Sequence, residues 1–471
     1  MKNLTIQSML GNYSLNSIIV YHKGEAISFK ELLSDVIYLE QLLPEHLYLL
    51  NLYEDRYYFL LGLLLGIKRD STHLFPSNTT AHTIEHLYAV YPKTLVLTDD
   101  ALNYKNKLHL NLEKLLNIKS DKEFLLHDTD IVKYFHNICF DKLRVIIFTS
   151  GSTGKPKAFK KTWGDFIDVA TQLGQQLKLN KDTAILATVP AQHMYGLEAS
   201  IMMPLVNGLA IHAERPFYPA DIETILSKSL QKKILITTPI HLRACLKTQV
   251  NLFNLEFCIS ATAPLNKELA QSFEKTQQSS IIEIYGCTEV GVIATRKPAH
   301  SEHWYCLNDI ELKQNSDGDV LLLTSRSIQK FILNDHVSEL KNNTFILDGR
   351  KEDIVNIAGK RCSLSYLNYH LLNIEQVEDA CFYQIDAGQS PDKHDIIGNQ
   401  QRLVVFVACK KDCDALKDLI NKALAKIIEP VFMPRYYYFI DSLPRNKTGK
   451  LLYNDMKELY QRELKRKKYS E

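Results

Sequence analysis

The sequence predicts an α/β protein with a large N-terminal domain of layered sheets and helices, residues 1–349, and a smaller α+β C-terminal domain, residues 350–471. Short apolar runs alternate with amphipathic stretches, as in sheets that are covered by helices. The pattern changes after about residue 309, where two strand-like runs flank the polar turn 315–319. A chain of 471 residues also exceeds a single hydrophobic core, which favours more than one domain.

Five apolar runs have the character of buried strands, several of them parallel. They are 95–97, 145–148, 185–187, 234–236 and 281–284. Helical periodicity covers 163–177 and 265–275, and in the C-terminal part a strand at 402–408 precedes a helix at 414–427. The apolar run 57–67 is shorter than the roughly 20 residues of a membrane span, so we expect a buried helix there.

The composition excludes several classes of protein. The 56 basic and 54 acidic residues give a formal net charge of +2, which offers no global attraction to nucleic acid or anionic lipid. Nine scattered cysteines without a CxxC pair argue against a disulfide framework and for a reducing compartment. The first residues lack the features of a signal peptide. We therefore expect a cytoplasmic monomer or homodimer without a membrane span or a nucleic-acid partner.

The strongest chemical signal is TSGSTGKPK, residues 149–157, which follows a predicted buried strand and precedes a helical stretch. Four hydroxyls, two glycines and two lysines in nine residues suit a loop that wraps closely around a phosphate chain and donates hydrogen bonds to it. The segment is not a Walker A loop, because position 149 is not Gly and position 156 is Pro. It predicts a phosphate-binding loop of another kind.

A second signal is YGCTE, residues 285–289, at the carboxyl end of the predicted strand 281–284, where α/β sheets bind ligands. Tyr285 can stack on a purine, and Glu289 can hold Mg²⁺ through a hard oxygen. Taken alone, the pentapeptide is equally compatible with a plain turn. The segments 348–361 (DGRKEDIVNIAGKR) and 444–450 (PRNKTGK) are weaker signals still when each is taken alone.

Together and in this order, the four motifs resemble those of the AMP-forming adenylating superfamily: acyl-CoA synthetases, luciferases and the adenylation domains of peptide synthetases. Residues 260–265 (SATAPL) resemble its adenine-contacting stretch, with two glycines replaced. The similarity extends from about residue 20 to about residue 455. It implies an enzyme with a mobile C-terminal domain that uses ATP and Mg²⁺ to turn a carboxylic acid into an acyl adenylate. The acyl group would then pass to the thiol of CoA or of a phosphopantetheine carrier protein.

The resemblance also implies the residues that bind ATP. Those at the adenine would be Ala261, Ala263 and Tyr285. Those at the β- and γ-phosphates would be Thr149, Ser150, Ser152 and Thr153, and Lys157 and Gly286 would be further nucleotide-binding residues. Thr288 would contact the α-phosphate, and Glu289 and Thr149 would hold Mg²⁺.

Further roles are implied for the later motifs. Family members hold the ribose with the Asp of a Thr-Gly-Asp motif that precedes an Arg by fifteen residues. Here Asp335 stands fifteen residues before Arg350, although neither the Thr nor the Gly is kept. Glu352 would be the hinge, and Arg361 would approach the phosphates in one domain orientation. Lys450 would bridge the substrate carboxylate and the α-phosphate, where a point cation lowers the electrostatic barrier between two anions.

The acid would bind near residues 190–198 (PAQHMYGLE), which match the family motif that lines the acyl site. His193 would lie near the carboxylate as a catalytic residue, and a packed loop histidine is the alternative. Further expected liners of the pocket are Tyr195, Gly196, Thr237 and Cys287. The stretches around His193 and 216–221 look like those of a bacterial subgroup associated with aryl-polyene-type pigment pathways. That likeness favours an aromatic acid, with fatty acids as the next choice.

Two other functions remain open on the sequence. A stand-alone amino-acid-activating enzyme would need an Asp near the pocket for the substrate amine, and no such Asp can be placed. A degenerate nucleotide-binding protein without turnover would explain the lost glycines at 261–262 and the altered residues 333–334. The presence of Lys450, Glu289 and the whole phosphate loop argues against it.

Overall fold

The computed structural model describes residues 9–76, 78–100, 104, 107–118, 140–149, 157–228, 230–316, 318–350, 354–357, 360–374, 376–385, 402–409, 413–446, 449–451 and 453–468, and for a few of these, including Arg350 and Arg361, the backbone alone. The chain divides into two compact units, Met1–Ser301 with Cys306–Asp309, and Glu302–Tyr305 with Ile310–Glu471. The predicted domain junction at 349/350 lies inside the second unit and stays a prediction.

The described strands are β1 (Ile18–His22), β2 (Glu25–Ser28), β3 (Tyr48–Asn51), β4 (Thr72–Phe75), β5 (Thr94–Leu97), β6 (His109–Leu110), β7 (Leu143–Thr149), β8 (Lys157–Thr162), β9 (Ala184–Ala187), β10 (Ala210–His212), β11 (Lys233–Thr237), β12 (Leu255–Ser260), β13 (Ser280–Cys287), β14 (Gly291–Arg296), β15 (Trp304–Cys306), β16 (Ile310–Gln314), β17 (Val320–Thr324), β18 (Ser327–Ile332), β19 (Asp335–Lys341), β20 (Thr344–Arg350), β21 (Ile354–Ile357), β22 (Lys360–Ser363), β23 (Ala380–Ile385), β24 (Arg402–Ala408) and β25 (Tyr436–Ile440).

The described α-helices are α1 (Phe29–Leu42), α2 (Arg56–Lys68), α3 (Ala81–Val90), α4 (Leu112–Asn117), α5 (Trp163–Leu177), α6 (Met194–Gly196), α7 (Met203–Asn207), α8 (Pro219–Ser227), α9 (Pro239–Thr248), α10 (Lys267–Gln277), α11 (Leu364–Leu372), α12 (Cys413–Leu424) and α13 (Tyr453–Lys468). A π-helical turn, Leu197–Met202, joins α6 to α7, and Pro430–Phe432 is a 3₁₀ turn.

The first unit is built on two largely parallel sheets. One contains β14-β13-β12-β11-β9-β10-β1-β2, and the other is six-stranded in the order β6-β5-β3-β4-β7-β8. All five predicted strands are confirmed, as β5, β7, β9, β11 and β13. The strands β9, β11, β12 and β13 run parallel, while β14 and β8 are antiparallel to their neighbours. The layered α/β architecture predicted for the N-terminal part is therefore confirmed.

Helices cover these sheets through apolar faces. The predicted buried helix at 57–67 is α2, which is apolar on every side, and its N-cap Asp55 accepts hydrogen bonds from the backbone of Tyr57 and Tyr58. The predicted helix 163–177 is α5, which begins with a capping box formed by Thr162 and Asp165. No helix among the described residues is both long enough and apolar enough to cross a lipid bilayer.

The second unit combines hairpins with a small α/β layer. The strands β16, β17 and β18 form one antiparallel sheet. The strands β23, β24 and β25 form a mixed sheet, in which β24 runs antiparallel to β23 and parallel to β25. Side chains of β24 alternate between two cores: Val405 packs on one face, and Phe406 packs on the other. The predicted strand 402–408 is thus confirmed as β24, and the helix predicted at 414–427 is α12.

Candidate functional site

The carboxyl ends of four neighbouring parallel strands, β9, β11, β12 and β13, meet at one edge of the larger sheet of the first unit. The register sets Thr237 beside Ser260, and Ser260 beside Glu283. The acyl-site segment follows β9, residues 261–265 follow β12, and YGCTE completes β13. This edge therefore gathers segments that lie almost a hundred residues apart in the sequence, at the position where α/β sheets bind ligands.

A buried ion pair holds the loop after β12. The Glu283 carboxylate accepts a hydrogen bond from the backbone N–H of Leu265 at 2.9 Å and one from Arg296 Nε at 2.7 Å. Arg296 also donates to the Leu265 carbonyl at 3.2 Å. Burial raises the pKa of Glu283, and the positive charge of Arg296 opposes that rise. The pair thus anchors the far end of the predicted adenine-contacting stretch to β13.

The same loop contains a strained residue. Thr262 has φ 79°, in the left-handed region that glycine adopts without cost and a β-branched residue rarely does. Ala261 before it is buried, and Ala263 after it is partly exposed. A β-branched residue thus occupies the left-handed region at a position where the resembling family carries glycine, so the loop stores backbone strain there.

The YGCTE segment is a hairpin rather than the strand-to-helix loop that a parallel strand end suggests. Tyr285 pairs with Ala294, and Cys287 pairs with Gly291, so the first three residues of the motif extend β13 beside β14. Thr288 and Glu289 occupy the turn, where the Glu289 side chain is exposed and Thr288 is partly buried. Tyr285 is partly buried and Gly286 is exposed at the end of the strand.

Glu289 has a partner for its main chain and one for its side chain. Lys161 Nζ donates to the Glu289 carbonyl at 3.0 Å, and the Cys287 thiol lies beside the Glu289 carboxylate. Burial raises the pKa of Cys287 to about 12, and the neighbouring carboxylate adds to that rise, so the thiol stays protonated. An exposed carboxylate in a fixed turn fits a hard cation such as Mg²⁺.

A metal site at the Glu289 turn needs ligands beyond the protein's own side chains. The described residues contain no group of three His, Cys, Asp or Glu side chains that could hold a metal ion. Mg²⁺ is commonly held by one or two protein oxygens together with substrate phosphates and water. Glu289 and the Thr149 hydroxyl, both oxygen donors, therefore fit this ion in the company of a phosphate chain.

The two ends of the predicted phosphate loop lie on neighbouring antiparallel strands, β7 and β8. Thr149 ends β7 and pairs directly with Lys157, which begins β8. Strand β8 lies between the predicted loop and α5, the helix that the sequence predicted at 163–177. A strand with polar residues on its exposed face lacks the apolar pattern of a buried strand. Ser150, Ser152 and Thr153 lie outside the described residues.

The acyl-site segment is tied to the sheet edge by Tyr195. Its hydroxyl lies 3.0 Å from the carbonyl oxygen of Thr237 and 2.9 Å from that of Ile259. Burial holds the pKa of Tyr195 well above its usual range, so the hydroxyl remains a donor. At Gly196 any Cβ would collide with the Pro190 carbonyl oxygen. His193 is partly buried at the start of α6.

Hydroxyl groups and a histidine cluster beside this segment. Thr237 Oγ1 lies 3.1 Å from Thr188 Oγ1, and Thr238 Oγ1 lies 3.0 Å from Nδ1 of His241. Burial lowers the pKa of His241 to about 4, with Arg215 as a further cause, so the ring is neutral near pH 7. The predicted pocket liner Thr237 thus belongs to a polar network at the ends of β9 and β11.

In the second unit, the predicted ribose-binding pair meets across a hairpin. Asp335 begins β19 and lies directly opposite Arg350, which ends β20. Arg361 is in β22, where its backbone pairs with Asn356 of β21. Glu352 lies outside the described residues, so its predicted role as hinge stays a prediction.

Hydrogen bonds with Asn446 and Arg445 fix the backbone of the turn that contains Lys450. Its backbone N–H donates to Asn446 Oδ1 at 2.9 Å, and its carbonyl accepts from the Asn446 N–H at 2.9 Å. Arg445 donates to the Gly449 carbonyl at 2.8 Å and binds both oxygens of Asp379, at 2.8 and 2.6 Å. The Lys450 side chain is exposed at the end of this braced turn.

Sequence reasoning missed several of these supporting residues. They are Lys161, Glu283, Arg296, His241, Asp379 and Arg445. A signal existed for Glu283, because a charged residue inside the apolar run 281–284 is almost never buried without a partner. Its partners Leu265 and Arg296 are not adjacent in sequence, and only the folded chain identifies them.

Comparison with known proteins bears on this fold and site. The family model described as "AMP-binding enzyme" matches residues 77–311. The chain is 24% identical over 366 residues to 4-coumarate–CoA ligase 3 of Arabidopsis thaliana, covering 67% of this chain and 63% of that protein. It is 24% identical over 426 residues to 2-succinylbenzoate–CoA ligase of a Geobacillus species, covering 81% and 80%. It is 20% identical over 322 residues to 3,4-dihydroxybenzoate–[aryl-carrier protein] ligase of Bacillus anthracis, covering 67% and 74%.

Solved structures agree on the fold. An anthranilate CoA ligase in complex with anthranoyl-AMP superposes with a TM-score of 0.78 at 14% identity, over 97% of each chain. The chain spans 63% and 64% of the lengths of the Arabidopsis and rice 4-coumarate–CoA ligases that it matches. The layered fold and the site together define an α/β nucleotide-binding protein. The chain belongs to the adenylate-forming superfamily of AMP-binding enzymes.

Proposed function

We propose that the protein is an AMP-forming acid–thiol ligase. A carboxylate oxygen of the acid attacks the α-phosphorus of ATP, the bond to the β-phosphate oxygen breaks, and acyl-AMP and pyrophosphate form. A thiol then attacks the acyl carbon, and a thioester and AMP result. The observation that carries the proposal is the meeting of the acyl-site segment, the SATAPL loop and the YGCTE hairpin at one sheet edge.

The chain's own residues would bind and orient the reactants. The 261–265 loop and Tyr285 would hold the adenine. Asp335 and Arg350 would hold the ribose, and the 149–157 segment would hold the phosphates. Glu289 and Thr149 would hold Mg²⁺, which supplies positive charge to the phosphates. Lys450 would place a cation between the two anions that must approach each other, which lowers the barrier to attack.

The substrate proposal is an aromatic carboxylic acid. Three relatives support this proposal, because their names specify 4-coumarate, 2-succinylbenzoate and 3,4-dihydroxybenzoate as the acids on which they act. Two of those names specify CoA as the acceptor, and the third specifies an aryl-carrier protein. The proposal therefore includes both thiol acceptors. The aryl-polyene subtype stays a prediction, as do a monomeric or homodimeric state and a cytoplasmic location.

ATP–pyrophosphate exchange across a panel of acids tests the first half-reaction. We expect exchange with benzoate- or cinnamate-type acids to exceed exchange with fatty acids and with amino acids. Thioester formation is then measured with CoA and with a phosphopantetheinylated carrier protein. Exchange only with amino acids would replace the proposal with a stand-alone amino-acid-activating enzyme, and ATP binding without any exchange would favour a protein without turnover.

A further inference from the structure

A buried lysine lies between strand β8 and the turn after β13 that contains Glu289. Lys161 is on β8, the strand that leaves the phosphate loop, and only 6% of its surface is exposed. Its Nζ donates to the Glu289 backbone carbonyl at 3.0 Å and lies 5.9 Å from the Phe166 ring centre. The preceding residue, Lys160, is exposed. The strand therefore turns one lysine to solvent and buries the next against the turn.

Stability alone does not account for a lysine at this position. Burial of an ammonium group is costly, and one hydrogen bond to a neutral carbonyl recovers only part of that cost. An apolar side chain would fill the same space between β8 and α5 without desolvating a charge. What Lys161 adds is a connection: it joins strand β8 of one sheet to a turn of the other, 128 residues away in the sequence.

We propose that Lys161 is a positioning residue for the metal–nucleotide part of the site, an inference that rests on the proposed function. In that function Thr149, which ends β7 beside β8, and Glu289 hold the same metal ion. Binding groups of this kind must be held within about 0.5 Å of their working geometry. Lys161 fixes the Glu289 backbone relative to β8 through the hydrogen bond to its carbonyl.

The test uses metal binding without turnover. Mn²⁺ affinity is measured by electron paramagnetic resonance on the full chain in the presence of α,β-methylene-ATP. Lys161→Met keeps the length of the side chain but removes the charge and the donor, and we expect it to weaken Mn²⁺ binding about tenfold. The KM for the acid should change less than twofold. Lys160→Met, on the same strand but exposed, is the matched control and should bind Mn²⁺ like the parent.

A double-mutant cycle with Glu289→Gln separates positioning from general stability. If Lys161 acts through Glu289, the double variant should bind Mn²⁺ no more than about twofold more weakly than Glu289→Gln alone. Additive losses, or parent-like Mn²⁺ affinity in Lys161→Met with a lowered melting temperature, would overturn the proposal. If Lys161→Met does not fold, Lys161→Gln replaces it in the same cycle. A parent that binds Mn²⁺ with the analogue but shows no exchange with any acid would refute the ligase function instead, because this readout needs no turnover.

Discussion

Asp335 and Arg350 lie directly opposite each other on the antiparallel strands β19 and β20, although fifteen residues separate them in the sequence. Antiparallel pairing sets the Cα atoms of two such residues a few ångströms apart. Because the chain lost the Thr and the Gly of the ribose-binding motif, this pairing is the structural support for keeping both residues as ribose ligands.

We expect Asp335→Asn to raise the KM for ATP about tenfold or more, since hydrogen bonds to a charged acceptor contribute about 1.5–3 kcal/mol. The KM for the acid should stay within about twofold of the parent. Asp348→Asn is the control, because Asp348 lies on the same hairpin and bonds Ser338 rather than a proposed ligand. Equal effects of the two substitutions would assign Asp335 to the hairpin and not to the ribose.

Lys450→Ala should remove adenylation while leaving ATP binding nearly intact. A transition-state contact of about 4 kcal/mol corresponds to roughly a thousandfold in rate. Pyrophosphate exchange measures the rate, and equilibrium binding of ATP is measured separately. Lys426→Ala removes an exposed lysine from the same unit and should leave both unchanged. Exchange at the parent rate in Lys450→Ala would remove this lysine from the mechanism.

Thr262→Gly should relieve strain in the 261–265 loop. A non-glycine residue in the left-handed region costs about 1–2 kcal/mol, and glycine adds about 0.5–1 kcal/mol of entropy to be lost on folding. Thr262→Ala loses the side chain but keeps the strain, so it is the reference. We expect the free energy of unfolding, measured by urea titration, to be about 0.5–1 kcal/mol higher for the glycine variant than for the alanine variant. A glycine variant that is equal or less stable would show that the φ of 79° carries no strain.

His73 should make the fold sensitive to acid. Burial lowers its pKa to about 3, with His46 as a smaller cause, and its ring packs edge-on against Trp163. An unfolded histidine has a pKa of about 6.5, so between these values the unfolded chain binds more protons. Neutral His73 therefore makes its full contribution to the free energy of unfolding above about pH 6.5. Below that pH the contribution falls by up to about 1.4 kcal/mol per pH unit.

His73→Phe removes this titration and keeps an aromatic ring in the core. Relative to the parent, the variant should become more stable as pH falls from 7 to 4.5, as measured by urea unfolding at each pH. His212 and His241 also have pKa values lowered by burial, to about 4, so part of the acid sensitivity will remain. Parallel curves for parent and variant would contradict the assignment to His73.

Local patterns in the sequence determined much of this fold. Buried strands and amphipathic helices carry their periods in neighbouring residues, which is why β9, β11, β13 and α5 could be placed in advance. The sequence also indicated 149–157, YGCTE and the Lys450 segment as candidate binding segments, because the chemistry of a binding loop lies in consecutive residues. Strand β8 escaped prediction because its exposed face is polar, and its antiparallel pairing with β7 was missed for the same reason.

Only the tertiary structure decided how these segments support one another. The pairing of Asp335 with Arg350 needs a strand register, which apolar periodicity leaves open in a polar hairpin. The bonds from Lys161 to Glu289, and from Glu283 to Leu265, join segments from different strands. Such contacts depend on which charged groups folding buries together, and burial is a property of the packed sheets rather than of any stretch of sequence.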